Sequence, residues 1–167
     1  MIPLKNKGMF LETILNITNK KYNDENICLV NKIPTNFKIL SNEFSDKRTF
    51  VFDQNYNCDY IGVYKGEYIE FEAKETSKKY FDFNLIRNNQ NEKMQKVHNH
   101  GGLSFLIIYF SEFETYFLAD YISVKQWVFN NKKRVPYEWF TKFAYEIFLS
   151  SDLKLDYLKG INNILKK

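Results

Sequence analysis

The amino-acid sequence predicts an α/β (α+β) domain built on a mixed central sheet flanked by helices. Three observations predict it. Segments of period-two alternation, above all "CDYIGVYKGEYIEFEAKET" from Cys58 to Thr76, are interleaved with segments of helical period. The run "LSFLIIYF" is apolar on both faces, as in a strand buried at the centre of a sheet. No repeat, low-complexity tract or Pro/Gly/Ser-rich linker divides the 167 residues, so one domain over 1–167 is expected. That length suffices to bury roughly 70% of the surface the unfolded chain exposes.

Met9, Phe10, Ile14, Leu15 and Ile17 recur at helical spacing and predict a first helix from about Gly8 to Tyr22. "ICLVNKI" reads as a strand. Pro34 bars a simple central strand after it, and the bursts "FKIL" and "RTFVF" flank a polar turn, which predicts a protruding β-hairpin between about Pro34 and Asn57. The alternating Cys58–Thr76 stretch forms a second hairpin about Lys65-Gly66. A helix from about Asn89 to Asn99 ends at Gly101-Gly102, residues suited to a C-terminal cap. "LSFLIIYF" and "ETYFLAD" pair as neighbouring strands. Asp120 to Phe129 and "DLKLDYLKGINNILKK" read as helices, and "RVPYEWFTKFAYEIF" fits either state. The expected order is α-β-β-β-β-α-β-β-α-α.

Composition narrows the function classes. The formal net charge is +4, and the basic residues are mostly lysine, with only Arg48, Arg87 and Arg134 as arginines. Such a surface suits phosphate contacts better than bidentate reading of base edges, although a composition bias towards Lys, Asn, Ile, Tyr and Phe produces the same picture. Cys28 and Cys58 stand without a CxxC or a Cys/His pattern, so free thiols in a reducing compartment are expected and zinc is not. No signal peptide is evident in "MIPLKNKGMFLETIL" and no window approaches ~18 apolar residues, which predicts a cytoplasmic protein without a membrane partner.

The second hairpin carries the chemistry. With Lys65-Gly66 as a two-residue turn, Tyr64 faces Glu67 and Asp59 comes directly opposite Glu72. Opposed residues have Cβ atoms ~4.5–5.5 Å apart, and like charges there destabilise a sheet. A divalent cation held between the carboxylates offsets that repulsion, and oxygen ligands favour a hard ion such as Mg²⁺, with Mn²⁺ as an alternative. Ile69, Phe71 and Ala73 point to the core; Tyr68, Glu70, Glu72 and Lys74 point to the other side. Lys74 therefore stands beside Glu72. Asp followed by Glu-x-Lys on the adjacent strand is an arrangement used by metal-dependent phosphodiester hydrolases. Glu-x-Lys alone is usually a solvated strand face; the facing Asp59 is what distinguishes it here.

These residues resemble the RecU-type Holliday junction resolvases, which share the restriction-endonuclease-like fold. "NKGMFLE" is similar to that family's amino-terminal pattern, "NKIPT" to its approach to a stalk, and "NQNEKM" to the helix carrying a Gln. The resemblance implies that Asp59 and Glu72 are metal carboxylates, that Lys74 stabilises the transition state, and that Gln90 belongs to the metal site. Asn57 falls at a metal-site position that is commonly Thr, and Glu12 matches the first-helix Glu, which is either a supporting acid near the metal or an exposed helical residue. Because the sequence starts almost at the family's amino-terminal pattern, the basic amino-terminal tail found in many relatives is expected to be missing. The resemblance further implies a homodimer that cuts four-way and branched DNA by paired symmetric nicks in recombination and repair, with the first hairpin as its stalk. Recombinase and branch-migration proteins are the implied protein partners.

Lys38, Lys47 and Arg48 on the stalk are candidate DNA contacts. Lys78, Lys79, Lys132, Lys133 and Arg134, in the Lys-and-aromatic segments "KKYFDF" and "NNKKRVPYEWF", are further candidates. His98 and His100 diverge on a helix end and read as solvated cations rather than ligands. Two rivals remain: a restriction- or repair-type nuclease acting on linear duplex, and a non-catalytic junction-binding or recombinase-modulating protein.

Overall fold

The structure, a computed structural model, describes residues 9–34, 37–41, 48–52 and 58–166, with side chains over 10–34 and 58–166. Helix α1 (Met9–Asp24) leads into strand β1 (Leu29–Lys32). Strands β2 (Phe37–Ser41) and β3 (Arg48–Phe52) pair antiparallel as a sheet of their own, with Phe37 opposite Phe52. There follow β4 (Tyr60–Tyr64), β5 (Glu67–Thr76), β6 (Tyr80–Asp82), a 3-10 turn at Phe83–Leu85 and α2 (Asn88–Asn99). The rest is β7 (Leu103–Phe110), β8 (Thr115–Asp120), α3 (Tyr121–Asn130), β9 (Arg134–Pro136), α4 (Tyr137–Phe143), β10 (Tyr145–Ile147) and α5 (Leu158–Leu165).

The main sheet has the order β1-β4-β5-β7-β8-β10. β5 and β7 run parallel, and the other neighbouring pairs are antiparallel. A parallel pair needs a crossover, which α2 supplies. The β4–β5 turn has Lys65 at φ 52° and Gly66 at φ 83°. Two successive positive φ values define the turn whose twist matches a hairpin, and they fix the register that puts Tyr64 opposite Glu67 and Tyr60 opposite Phe71. β1 then packs so closely on β4 that a Cβ at Gly62 would lie 2.2 Å from the Leu29 carbonyl oxygen.

Both faces of the sheet are covered. On one, α1 and α5 pack Leu11, Leu15 and Ile161 over Ile69, Phe71 and Phe105, with the Phe71 ring stacked on Tyr60 at 4.8 Å and on Phe105 at 4.7 Å. On the other, α2, α3 and α4 bring Met94, Val124 and Phe140 onto Leu106, Ile108 and Phe117. This double burial is why β7 reads as a continuous apolar run. Among the described residues, no helix is long and apolar enough to cross a membrane.

The structure departs from the sequence expectation in three places. Six strands precede α2, against four in the expected order: five match the segments read as strands, and the sixth, β6, has too few residues to show alternation. The ambiguous "RVPYEWFTKFAYEIF" is both states in turn: β9, α4 and β10. The last helix begins at Leu158 rather than near Asp152. Before it, Leu155 and Tyr157 are buried at strand-like spacing, Leu149 bridges to Leu155, and Leu153 has φ 60°, which no helix accommodates.

Candidate active site

β5 outruns β4 at the end opposite the turn. Past Phe71 the other edge of β5 stays paired with β7, but the edge that faced β4 has run out of ladder, and Asp59, just ahead of β4, supplies an acceptor there: the Ala73 N–H donates to Asp59 Oδ2 at 3.3 Å. The Asp59 backbone is held on both sides. Its N–H donates to Glu72 Oε2 at 3.1 Å, and its carbonyl accepts from the Ile33 N–H at 2.8 Å. Asp59 therefore lies beside Glu72 one residue past the last ladder pair, Tyr60 with Phe71, and bonds between backbone N–H groups and the two carboxylates hold it there.

Glu72 has no solvent exposure. Its Oε1 accepts from Gln90 Nε2 at 2.7 Å and from the Lys74 ammonium. Burial pushes its carboxyl up to about 7; Lys74 opposes that rise and Asp59 adds to it. Gln90, in the first turn of α2, also accepts the Arg87 N–H at its Oε1, 3.0 Å away. Both ends of the amide are thereby assigned, oxygen to a backbone donor and nitrogen to a carboxylate. As placed, Gln90 clamps Glu72 and presents no oxygen to it. The helix start that it belongs to also brings a positive partial charge towards the buried acid.

Glu70, on the same strand face, is equally buried. Its Oε1 accepts from the Cys58 N–H at 3.0 Å, its Oε2 from the Tyr68 hydroxyl at 2.7 Å, and Lys93 of α2 lies 3.6 Å from Oε2. It thus fixes the residue immediately before Asp59. Helix α2 covers this strand face, which explains how its carboxylates come to be buried and partnered.

A cavity of about 420 Å³ opens over the site, lined by Asp59, Lys74, Glu12, Glu75, Tyr60 and Leu85 among others. Lys74 is partly exposed to it, whereas Glu72 lies behind. Glu12 lines the same cavity and is paired with Lys32 of β1. Glu75 accepts the Leu11 N–H of α1 at 2.6 Å, and its carboxyl is raised by burial against the opposing effect of that bond. It is an acceptor for a first-turn helix N–H that has no partner within α1.

The structure therefore brings together Asp59, Glu72, Lys74, Gln90 and Glu12. Asn57 and Lys47 lie outside the described residues, as do the side chains of Lys38 and Arg48. Lys78, Lys79, Lys132, Lys133 and Arg134 gather elsewhere, around β6 and β9. Cys58 is buried in the core beneath α2, its thiol raised by burial and by nearby Glu72 and Glu70. Sequence reasoning assigned no role to Glu70 or Glu75. Their signal was faint: an acid two residues before Glu72 on its face, and one just after Lys74. Among the described residues, no cluster of three or more His, Cys, Asp or Glu is placed to hold a metal. The donor set is two carboxylates with polar support.

Fold and site together define a mixed-sheet α/β protein in which an acid pair meets a lysine at the overhang of the central hairpin. The chain belongs to the Recombination protein U family, which it matches over residues 6–163. Its relatives include the Holliday junction resolvase RecU of Geobacillus kaustophilus, 31% identical over 169 residues, with 95% of this chain and 84% of that protein covered. The protein of the same name from Bacillus mycoides is 41% identical over 121 residues, covering 69% of this chain and 60% of that one. Among solved structures, the Holliday junction resolvase Hjc of Archaeoglobus fulgidus is similar at a TM-score of 0.43 and 10% identity, over 70% of this chain and 74% of that chain.

Proposed function

We propose that the protein is a divalent-metal-dependent, structure-selective endodeoxyribonuclease that resolves four-way junctions by paired symmetric nicks. The observation that carries the reading is that Asp59 and Lys74 line one cavity with Glu72 buried directly behind them, bonded to both and clamped by Gln90. Family membership and the names of the relatives support the substrate.

The donor set fits a hard cation. It offers carboxylate oxygens, while the thiol of Cys58, next to Asp59 in sequence, is buried in the core. Asp59 and Glu72 would hold Mg²⁺, which when bound neutralises phosphate charge and lowers the pKa of a water. Asp59 is aimed by the Ala73 N–H, and Gln90 keeps Glu72 directed at the hairpin overhang. Lys74 reaches the cavity and directs an ammonium at charge developing on the phosphate. Glu12 holds Lys32 at the cavity rim.

A homodimer would present two such sites to strands of like polarity, matching the near-twofold symmetry of a junction. The β2–β3 hairpin would serve as the stalk at its centre, within one domain acting in the cytoplasm. Incubation with a four-way junction and with linear duplex, in Mg²⁺ or in EDTA, tests the reading. Symmetric nicking of the junction in Mg²⁺ alone is expected. Equal cutting of duplex identifies a duplex nuclease, and binding without cutting identifies a junction binder.

A further inference from the structure

The two Lys-and-aromatic segments, some fifty residues apart in sequence, form one surface. β6 and β9 pair antiparallel, Tyr80 opposite Pro136 and Asp82 opposite Arg134. Two flanking backbone bonds lock the pair: the Phe83 N–H donates to the Lys133 carbonyl at 2.8 Å and the Tyr137 N–H to the Lys79 carbonyl at 3.0 Å. Together with the end of α3 they enclose a cleft of about 530 Å³, lined by Lys79, Tyr80, Trp127, Lys132, Arg134 and Pro136, with Asn131 at the helix end. That volume lies within the ~300–1,000 Å³ usual for small-ligand sites.

The lining pairs flat ring surface with positive charge. The Arg134 guanidinium carbon lies 5.0 Å from the Tyr80 ring centroid, and the Lys78 ammonium 5.4 Å from it. The Trp127 ring nitrogen is buried without a hydrogen-bond partner, so the indole offers the cleft ring carbon and not a donor. Among the described residues, no carboxylate lines the cleft. Lys79 shares its charge with Glu112 at 3.6 Å and Lys133 donates to Asn84 at 3.0 Å, while Lys132 and Arg134 are exposed.

The cleft is also tied to the active-site strand. The Thr76 hydroxyl donates to the Tyr80 carbonyl at 3.1 Å and accepts the Lys78 N–H at 3.2 Å. Thr76 lies on the same face of β5 as Glu72 and Lys74, two residues beyond Lys74.

We propose that this cleft holds an unpaired nucleotide of the DNA being cut, its base against Trp127 and the Tyr80–Arg134 pair and its phosphates on Lys79 and Lys132. This rests on the reading of the chain as a DNA nuclease. Intact duplex presents phosphates but keeps its bases stacked inside, so it would leave the aromatic wall unused. A strand opened at a branch point presents both groups. Aromatic and guanidinium surfaces bind bases by stacking with little sequence preference, which suits an enzyme selecting shape.

The test uses the full chain in EDTA, so that binding is read without cleavage. Short oligothymidylate and an abasic oligomer of equal length are titrated, with affinity from fluorescence anisotropy and base contact from tryptophan quenching. Oligothymidylate is expected to bind about tenfold more tightly than the abasic oligomer and to quench tryptophan. Trp127→Ala should erase the difference, and Arg134→Gln, at an exposed position that leaves the core intact, should reduce it. Equal affinity for the two oligomers, or a preference unchanged in Arg134→Gln, overturns the proposal, as does oligoglutamate competing as well as DNA. A preserved base preference in a protein that never cuts junctions would keep this site and remove the nuclease reading.

Discussion

Glu72 makes the stability of the metal-free protein depend on pH in an unusual direction. Its carboxyl is raised from 4.5 to about 7 by full burial, so between those values the folded protein binds more protons at this position than the unfolded chain. A raised folded pKa contributes stability that is present below about 4.5 and lost as pH rises through about 7. At 1.36 kcal/mol per unit, the loss amounts to about 3 kcal/mol. That is a large share of the ~5–15 kcal/mol typical of a domain. The perturbation is Glu72→Gln, which leaves nothing at position 72 to titrate. Urea unfolding in EDTA at several pH values across this window would compare the two proteins. The absolute stability of the variant is not the readout, because a Gln amide meets the Gln90 amide and Lys74 differently. The readout is the slope: wild type should lose about 3 kcal/mol relative to Glu72→Gln across the window. Parallel profiles would refute the reasoning and mean that Lys74 already compensates Glu72 fully.

Lys74→Ala should slow junction cleavage by about 10²–10³-fold, the scale for one preorganised charge-stabilising donor, with the Mg²⁺ requirement unchanged; single-turnover rates check this. Glu70→Ala leaves the Cys58 N–H buried without its acceptor, and should cost about 1–3 kcal/mol in denaturant unfolding and slow cleavage. Glu70→Gln keeps an acceptor oxygen and should recover most of both losses. Gly62→Ala would drive a methyl into the Leu29 carbonyl, at 2.2 Å, and should lower stability by about 1–3 kcal/mol in thermal unfolding. Because β1 leads to the Ile33 N–H that holds the Asp59 carbonyl, cleavage should fall with it.

The hairpin register was legible because two local signals agree: a Lys-Gly turn that requires positive φ, and period-two alternation on either side of it. From these alone Asp59 comes opposite Glu72. α1, α2 and α3 were legible for a similar reason, since periodicity and flanking residues coincide. What escaped depends on contacts distant in sequence. Nothing near Glu70 announces that α2 will cover it and bring Lys93, so its burial and its hold on Cys58 appear only in the fold. The orientation of Gln90 is set by Arg87 on one side and Glu72 on the other, which a motif match cannot resolve. β6 and β9 are each too short to alternate, and their pairing, which turns scattered lysines and aromatics into a cleft, is a tertiary fact. At Asp152–Tyr157 the apolar spacing is that of a strand, and the helical propensity of the tail that follows masked it.

The central claim is that Asp59 and Glu72 form one metal-holding acid pair for phosphodiester hydrolysis, and separating cleavage from binding tests it most directly. Asp59→Asn and Glu72→Gln are each incubated with a labelled four-way junction in Mg²⁺, and junction affinity is measured in parallel in EDTA. Both variants should lose cleavage while binding the junction as tightly as wild type or more so, since Asp59→Asn removes a negative charge that repels phosphate and Glu72→Gln replaces a buried carboxyl already partly protonated near neutral pH. Mg²⁺-dependent nicking that persists in both variants would contradict the account.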